Sequence, residues 1–436
     1  MFASRLTILG LTTALLVGGC SSQDSSVASA ESSPLQTASE TSQSVALPTS
    51  PTFSVLEFGG PNLLFAASNT DEKVFAFTLD DAAETGSPPQ PTPYNLTRFG
   101  SQLATKLGVS PLDIKYHDLA VHPVTTAAYL SVSANDQAAL VKITQDGNIA
   151  IIDAQKWASS SVNLAETADK DVTFWRDIPA TSLSVTDLEF DDGTLYVAGL
   201  STGEFASTLR QFDFPFTDQG EANSIEMFHT AHNQNETRAP IRAMAMTTLN
   251  GQKTLVAAYT CTPLVTVAAS SLQNGDHVVG KTVAELGYGN VPVEVLSVTA
   301  YNMQQQPEDF ILVINREMSA DLIRKEDLAV ANSEPGITTG FSGLGDTMGV
   351  ETSHHPLGGV IQADNQDQQF LLFLRRDLDT GEIELISQMK GAYFRLSDFV
   401  SEYNFPDYAY PDSQEGTKQF QNVMKSLEGY PELAIQ

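Results

Sequence analysis

Val185-Thr186-Asp187-Leu188-Glu189-Phe190-Asp191-Asp192-Gly193-Thr194-Leu195-Tyr196-Val197-Ala198-Gly199, followed by Thr208-Leu209-Arg210-Gln211-Phe212, decides the fold of this chain. The run Leu195-Tyr196-Val197-Ala198-Gly199 is apolar throughout, as a strand covered on both faces requires. Asp191-Asp192-Gly193 before it is turn chemistry, because Asp and Gly tolerate the backbone angles that a tight reversal needs. Residues 208–212 alternate more, as an outer strand with one wetter face does. The stretch therefore reads as strand, turn, strand, turn, strand.

The same unit recurs with a period of roughly sixty residues. Its central strands are Leu63-Leu64-Phe65-Ala66-Ala67, Ala128-Tyr129-Leu130-Ser131-Val132, Leu195-Tyr196-Val197-Ala198-Gly199, Leu255-Val256-Ala257-Ala258-Tyr259, Phe310-Ile311-Leu312-Val313-Ile314 and Phe370-Leu371-Leu372-Phe373-Leu374. Ahead of them lie residues 53–58, 118–121, 185–190, 241–246, 293–298 and, less clearly, 357–361. More alternating strands follow at 73–77, 139–143, 208–212, 264–267 and 382–386. Three or four short strands per unit, Gly/Asn/Asp turns and the lack of a long amphipathic helix predict an all-β chain built as a β-propeller. Seven blades are expected, with six as the alternative. Two β-sandwiches in tandem would give a similar strand density, but the regular period argues against them. Phe420, Val423, Met424 and Leu427 fall at helical spacing and predict a short C-terminal helix over 414–427. Over most of residues 51–400 the units resemble those of quinoprotein and lactonase-type propellers, without a WD40 dipeptide series or a Kelch diglycine pattern. That resemblance lives in periodicity and implies an architecture, not an activity.

At the N-terminus, Arg5 and an apolar segment from Leu6 to Val17 have the layout of an export signal, too short to persist as a membrane span. Leu15-Leu16-Val17-Gly18-Gly19-Cys20 closes it and resembles the lipobox of bacterial lipoproteins. The resemblance implies a signal peptide over 1–19, cleavage after Gly19 and diacylation, palmitate included, of Cys20. With Ser21 rather than Asp after the cysteine, it further implies the outer membrane of a Gram-negative cell envelope. Residues 20–50 are rich in Ser, Thr, Gln, Ala and Glu, cannot offset their ordering entropy by burial, and read as the lipidated cysteine and a tether. The propeller is expected over 51–436. Cys20 and Cys261 are the two cysteines, so lipidation of the first leaves no partner for an internal disulfide.

Acidic residues number 53 against 23 basic ones, a formal charge of -30 spread along the chain. Such a field repels phosphate backbones and anionic membrane surfaces, which sets nucleic-acid binding aside. It suits solubility, a cationic partner or bound divalent ions.

The histidines supply the first candidate site. His117 precedes the first strand of its unit, His229 and His232 lie in the link before Ile241, and His354 and His355 in the link before Gly358. Links between blades gather on one propeller face around the mouth of the central channel, and Cys261 is expected there too. Imidazole and thiolate suit zinc, copper or iron, so convergence of His117, His229 or His232, His354 or His355, and Cys261 would build a transition-metal site. Polar loop residues without a metal are the other reading. A second constellation is Asp118, Asp187, Arg242 and Glu294, at nearly equivalent places in successive units and expected to ring the channel. Such a ring would hold calcium or position a polar ligand, unless the carboxylates serve only to accept backbone hydrogen bonds. Glu236 and Arg238, in the polar loop 229–242, are further ligand-binding candidates, or pair with each other. Arg316, Arg375 and Arg376 end later central strands and offer cationic groups for a carboxylate.

There is no Gly-x-Ser-x-Gly elbow, His-Glu-x-x-His, phosphate-binding Gly-x-x-x-x-Gly-Lys or Cys-x-x-Cys-His motif. Two functions fit this pattern. One is a lipid-anchored propeller whose face binds a protein partner or small ligand, with or without a metal. The other is a metal- or quinone-dependent periplasmic enzyme, an oxidoreductase or a lactonase-like hydrolase.

Overall fold

Every one of the six central runs is the second strand of an antiparallel blade in the computed structural model, paired with the strand before it and the strand after it. The structure describes residues 47–390 except 80–91, 175–176, 218–219, 261, 274, 288–289, 302–305, 341–346, 356 and 379. The signal-like stretch, Cys20, the tether to residue 46, Cys261 and the helical pattern at 414–427 lie outside the described residues.

Numbered by their innermost strands in chain order, the blades begin at Val55–Gly60, Ile114–Val121, Asp187–Asp191, Ile241–Leu249, Pro292–Tyr301 and Val360–Asn365. The second strands are the most deeply buried: Leu64, Phe65, Ala66 and Ala67 of blade one are all at 0 % exposure. Sheets packed face to face bury both sides of such strands, which is why their sequences carry no alternation. Blade five's third strand, Ala320–Arg324, has only five residues and was not marked by the sequence pattern.

Apolar clusters between neighbouring sheets give the order around the ring. Leu64, Phe77 and Tyr129 join blades one and two, while Phe65, Val74 and Val197 join blades one and three. Further clusters join three to four, four to five and five to six. Leu130, Val141, Leu372 and Leu385 then close six onto two. The ring order is thus two, one, three, four, five, six, with the first two blades exchanged relative to the chain. Blade one is correspondingly interrupted: its outermost strand, Ala158–Asn163, pairs with Lys73–Thr78 only after the whole of blade two has been made. On the same excursion, Asn95–Leu96 becomes the outermost strand of blade six by pairing with Leu385 and Ile386.

Six blades are present among the described residues, the alternative count rather than the expected seven. Chain that a seventh would need goes into irregular segments between blades and two short helices. Phe99–Leu107 buries Phe99, Leu103 and Leu107 against the blade two–six seam and stops at Gly108, whose φ of 71° is the left-handed cap that glycine adopts without strain. Lys325–Ser333 buries Leu328 between blades four and five.

Arg210, 2 % exposed, fixes the approach to blade three. Its guanidinium donates to the carbonyls of Ala165, Glu166, Ser184 and Leu200 at 3.1–3.3 Å, tying three chain segments together. Burial pulls its pKa down to about 10, which leaves it charged. Backbone carbonyl dipoles thus solvate a cation that water cannot reach.

Candidate functional site

The innermost strands of four blades each carry a register shift at their entry, with His117, Arg242, Val293 and Ile361 as the extra residues. A β-bulge re-aims the side chain it carries. His117, Arg242 and Val293 accordingly line an open cleft of about 730 Å³ at the channel mouth. Arg316 from the turn after blade five's second strand, Gln362 from blade six, Tyr116 from blade two and Lys170 from the segment before blade three belong to its polar wall, as does Glu72, which pairs with Lys170 at 3.0 Å. A cleft of this volume, with polar groups converging from separate elements, is the usual form of a small-ligand site. His117 Nε2 lies 2.6 Å from Ser133 Oγ, and Gln362 Nε2 donates to the His117 carbonyl at 2.7 Å, so the wall is held in place from behind. Burial, then the nearby Lys115, pushes the His117 pKa below its ordinary value, and the ring is neutral at neutral pH. Arg242 is pulled down by burial and then by repulsion from Arg316, partly offset by the pull of Asp187. Two guanidinium groups of like charge therefore share one cleft.

One layer deeper, Glu57, Asp118, Asp187, Glu189, Glu294 and Asp364 surround a cavity of about 190 Å³ on the channel axis. These carboxylates stitch the ring together. Asp118 accepts the Leu56 N–H, Asp187 the Met244 N–H and Asp364 the Val121 N–H, at 2.6–2.7 Å, each reaching onto the neighbouring blade. Glu189 does the same for Met246 at 2.8 Å. Burial is the main force on all six, and it pushes Asp118 and Asp364 up to about 7 and Glu189 to about 8. Glu57, Asp187 and Glu294 rise well above the ordinary range through burial and then mutual repulsion. A ring of this kind holds protons near neutrality.

The histidines do not converge on the mouth. His229 is the last residue of Glu221–His229, the fourth strand of blade three, and forms a hairpin with Gln234–Glu236 that also brings in His232. His354 and His355 belong to Ser353–His355, the outermost strand of blade five, where His354 Nδ1 lies 2.8 Å from Asp321 Oδ1. Only His117 is on an innermost strand. Four strands spaced about 4.8 Å apart put the outer edge of a blade about 14 Å from its inner edge, so the expected three-blade metal site is not formed. Among the described residues, His229, His232 and Glu236 are the one group of three metal-ligand side chains with ligand atoms within 4.8 Å of one another.

The second constellation also divides. Asp118, Asp187 and Glu294 line the channel, with Arg242 at its mouth. Glu236 and Arg238 are elsewhere and are not paired: Glu236 contacts the two histidines, and Arg238 donates to the Glu204 carbonyl at 3.2 Å. Of the later arginines, Arg316 reaches the cleft, Arg375 pairs with Glu384 at 2.6 Å, and Arg376 donates to the Gly381 carbonyl. Glu57, Glu189, Asp364, Tyr116, Gln362 and Lys170 were missed. For Glu57 and Glu189 the signal was available, since each is a carboxylate between a leucine and a phenylalanine in the middle of a first strand.

No protein-family profile matches the chain, and no curated protein matches it. Among solved structures it is similar to the extracellular domains 1-2 of Drosophila Semaphorin 1b, at 9% identity and a TM-score of 0.35, over 81% of this chain and 87% of that one. A structural-genomics protein of unknown function from Bacteroides thetaiotaomicron VPI-5482 matches at 7% identity and 0.29, over 78% of this chain and 70% of that one. A chain of the Mitotic Checkpoint Complex matches at 7% and 0.29, over 87% of this chain and all of that one. Likeness at this level carries no functional argument.

Proposed function

We propose that this chain is an exported, lipid-anchored binding protein whose channel mouth takes a small polar ligand bearing a carboxylate or similar anionic group. The observation that carries the reading is the pairing of Arg242 with Arg316 in one cleft, in a chain whose net charge is -30. Repulsion between the half-buried Arg242 and the exposed Arg316 is relieved when an anion sits between them, and their planar N–H forks suit a carboxylate. Tyr116, Gln362 and Lys170 add hydrogen-bond donors around the same volume. The lipobox-like Leu15-Leu16-Val17-Gly18-Gly19-Cys20 supports anchoring through Cys20 at a bacterial outer membrane. Among the described residues no helix is long and apolar enough to cross a membrane.

The test is thermal-shift and calorimetric titration of the full chain with succinate, citrate, glutamate, a sugar acid and inorganic phosphate. At least one should bind at 1:1 stoichiometry and lose most of its affinity in the Arg242→Gln/Arg316→Gln double variant. Binding by none of them, or equal binding by the variant, overturns the anionic-ligand reading. Anchoring is tested by labelling cells with radioactive palmitate: label on the wild type and none on Cys20→Ser is expected, and an unlabelled wild type refutes it.

A further inference from the structure

The hairpin at the outer edge of blade three carries a second, independent site. Strand pairing sets Met227 opposite Glu236 and His229 opposite Gln234, so His229 and Glu236 are diagonal neighbours on one face of the ribbon. The intervening turn is tight, with His232 N–H donating to the His229 carbonyl at 3.2 Å and Asn233 N–H to the Thr230 carbonyl at 3.1 Å. It folds the His232 ring over that of His229, with centroids 4.2 Å apart. Glu236 Oε1 is then 3.2 Å from His229 Nδ1 and hydrogen-bonds His232 Nδ1 as well.

These positions match a tetrahedral ion. Ligand atoms bound to zinc at 2.0–2.1 Å lie roughly 3.3 Å from one another, and the three side chains present theirs within 4.8 Å. The support behind them matches as well. His229, 1 % exposed, turns Nε2 toward Thr262 Oγ1 at 3.1 Å and toward Glu285 Oε1 at 3.6 Å. Glu285, also 1 % exposed, is fixed from the far side by the Thr230 N–H at 3.1 Å and the Thr230 hydroxyl at 2.6 Å. A carboxylate that holds the outer nitrogen of a histidine fixes its tautomer and makes the inner nitrogen a better ligand. In the tautomer whose Nε2 proton goes to Thr262 Oγ1, with the Glu285 carboxylate just beyond, the His229 Nδ1 lone pair faces a Glu236 oxygen. A proton shared between the two atoms holds them at that distance, and a metal ion can take its place.

We propose that His229, His232 and Glu236 bind one zinc-class divalent transition ion, with Glu285 as the residue that positions His229. His232 is 55% exposed at its side chain, so the fourth coordination position opens to solvent and takes water or an exchangeable ligand. Three protein ligands and one open position are the pattern of zinc sites that act on a ligand rather than merely brace a fold.

The experiment strips the purified full chain with chelator and titrates it with Zn²⁺ alone by calorimetry and with Co²⁺ alone by visible absorption. One equivalent should bind, and Co²⁺ should develop the intense bands of a four-coordinate centre. His232→Ala, at a half-exposed position that the fold does not depend on, should weaken binding by at least ~100-fold through loss of a ligand, and Glu285→Gln by about 10- to 100-fold through loss of orientation. His354→Ala should leave it unchanged, as should Arg242→Gln, which makes this site separable from the channel mouth. Absence of stoichiometric binding overturns the proposal. So does His232→Ala binding like the wild type, or His354→Ala weakening it as much as His232→Ala does.

Discussion

Replacing Asp118 by Asn should make the protein more stable at pH 8 than the wild type while leaving it nearly unchanged at pH 5. Burial, eased by backbone hydrogen bonds from Leu56 and Leu119 and reinforced by Asp364, pushes the Asp118 carboxyl from 3.8 up to about 7. A carboxyl whose folded pKa lies above its unfolded one takes up a proton on folding. Its stabilising contribution is complete below about pH 4 and lost as the pH rises through about 7. A difference of about 3 units corresponds to about 4 kcal/mol, at about 1.4 kcal/mol per unit. Neutralising Asp118 also eases Asp187 and Glu294, which it repels, and that relief adds to the gain at high pH. Asn copies the protonated acid in shape and charge. Its carbonyl keeps the 2.6 Å bond from the Leu56 N–H and gives up the one from Leu119, a loss of about 1 kcal/mol.

Urea unfolding at pH 5, 6, 7 and 8 measures this directly, and Trp157, packed against Phe77 and Tyr129 at the seam of blades one and two, reports it by fluorescence. The variant should fall within about 1 kcal/mol of the wild type at pH 5 and gain about 3 kcal/mol at pH 8, once the lost Leu119 bond is set against the carboxyl. Taking the difference between variant and wild type cancels the opposing titration of His117 and His355, whose depressed values make stability rise with pH. If Asp118→Asn instead costs more stability at pH 8 than at pH 5, the wild-type carboxylate is ionised and matched by a cation in the channel, and the reasoning is refuted.

Other outcomes follow from single contacts. Arg210→Met should destabilise by about 3 kcal/mol or more, because four carbonyls lose a buried donor; Arg210→Lys should recover only part, lacking the planar fork. Thermal melts check both, and a melt unchanged by Met would refute the role. Tyr94→Phe should cost about 1–3 kcal/mol, since the hydroxyl, buried at the ring seam, accepts the Ala128 N–H and reaches the Thr126 and Ile143 carbonyls at 2.9 Å. Gly199→Ala should destabilise blade three as well, because the added Cβ would stand 2.1 Å from the Ser184 carbonyl oxygen; a variant that melts with the wild type would show that this backbone yields. Arg242→Gln alone should weaken an anionic ligand at the mouth by at least about tenfold, a charge-assisted bond being worth about 1.5–3 kcal/mol, as read by calorimetry.

All six central strands were legible because burial on both faces leaves a run that is almost wholly apolar. Exchange of the first two blades was not. Local sequence records that Lys73–Thr78 is a strand, but its partner Ala158–Asn163 reads Ala-Ser-Ser-Ser-Val-Asn, which carries little strand signal. The channel residues were half legible. Asp118, Asp187 and Glu294 stand at or near the head of apolar stretches and invite notice, whereas Asp364 enters the ring only through the register of blade six. For the histidines, position in sequence gave proximity to a link but not distance from the axis. His354 precedes an inner strand by a few residues and still sits on the outer edge of the blade before it, because the outermost strand of blade five runs straight into the link to blade six. His229, His232 and Glu236 meet for a reason the sequence does contain: a tight hairpin folds a short polar loop back on itself.

The exchange of blades one and two also governs when this molecule can come into being. Blade one stays a three-stranded fragment until residue 163 is available, and blade six lacks its inner strands until the chain extends past residue 389, although its outer strand was made near residue 95. Contacts so remote in sequence form slowly, since the loop must close before any of them contributes. A nascent or translocating chain therefore exposes the edges Lys73–Thr78 and Asn95–Leu96 for much of its synthesis. Helpers that shield strand edges would meet it there, and truncation before residue 360 leaves an open arc with blade six missing and blade two without its neighbour.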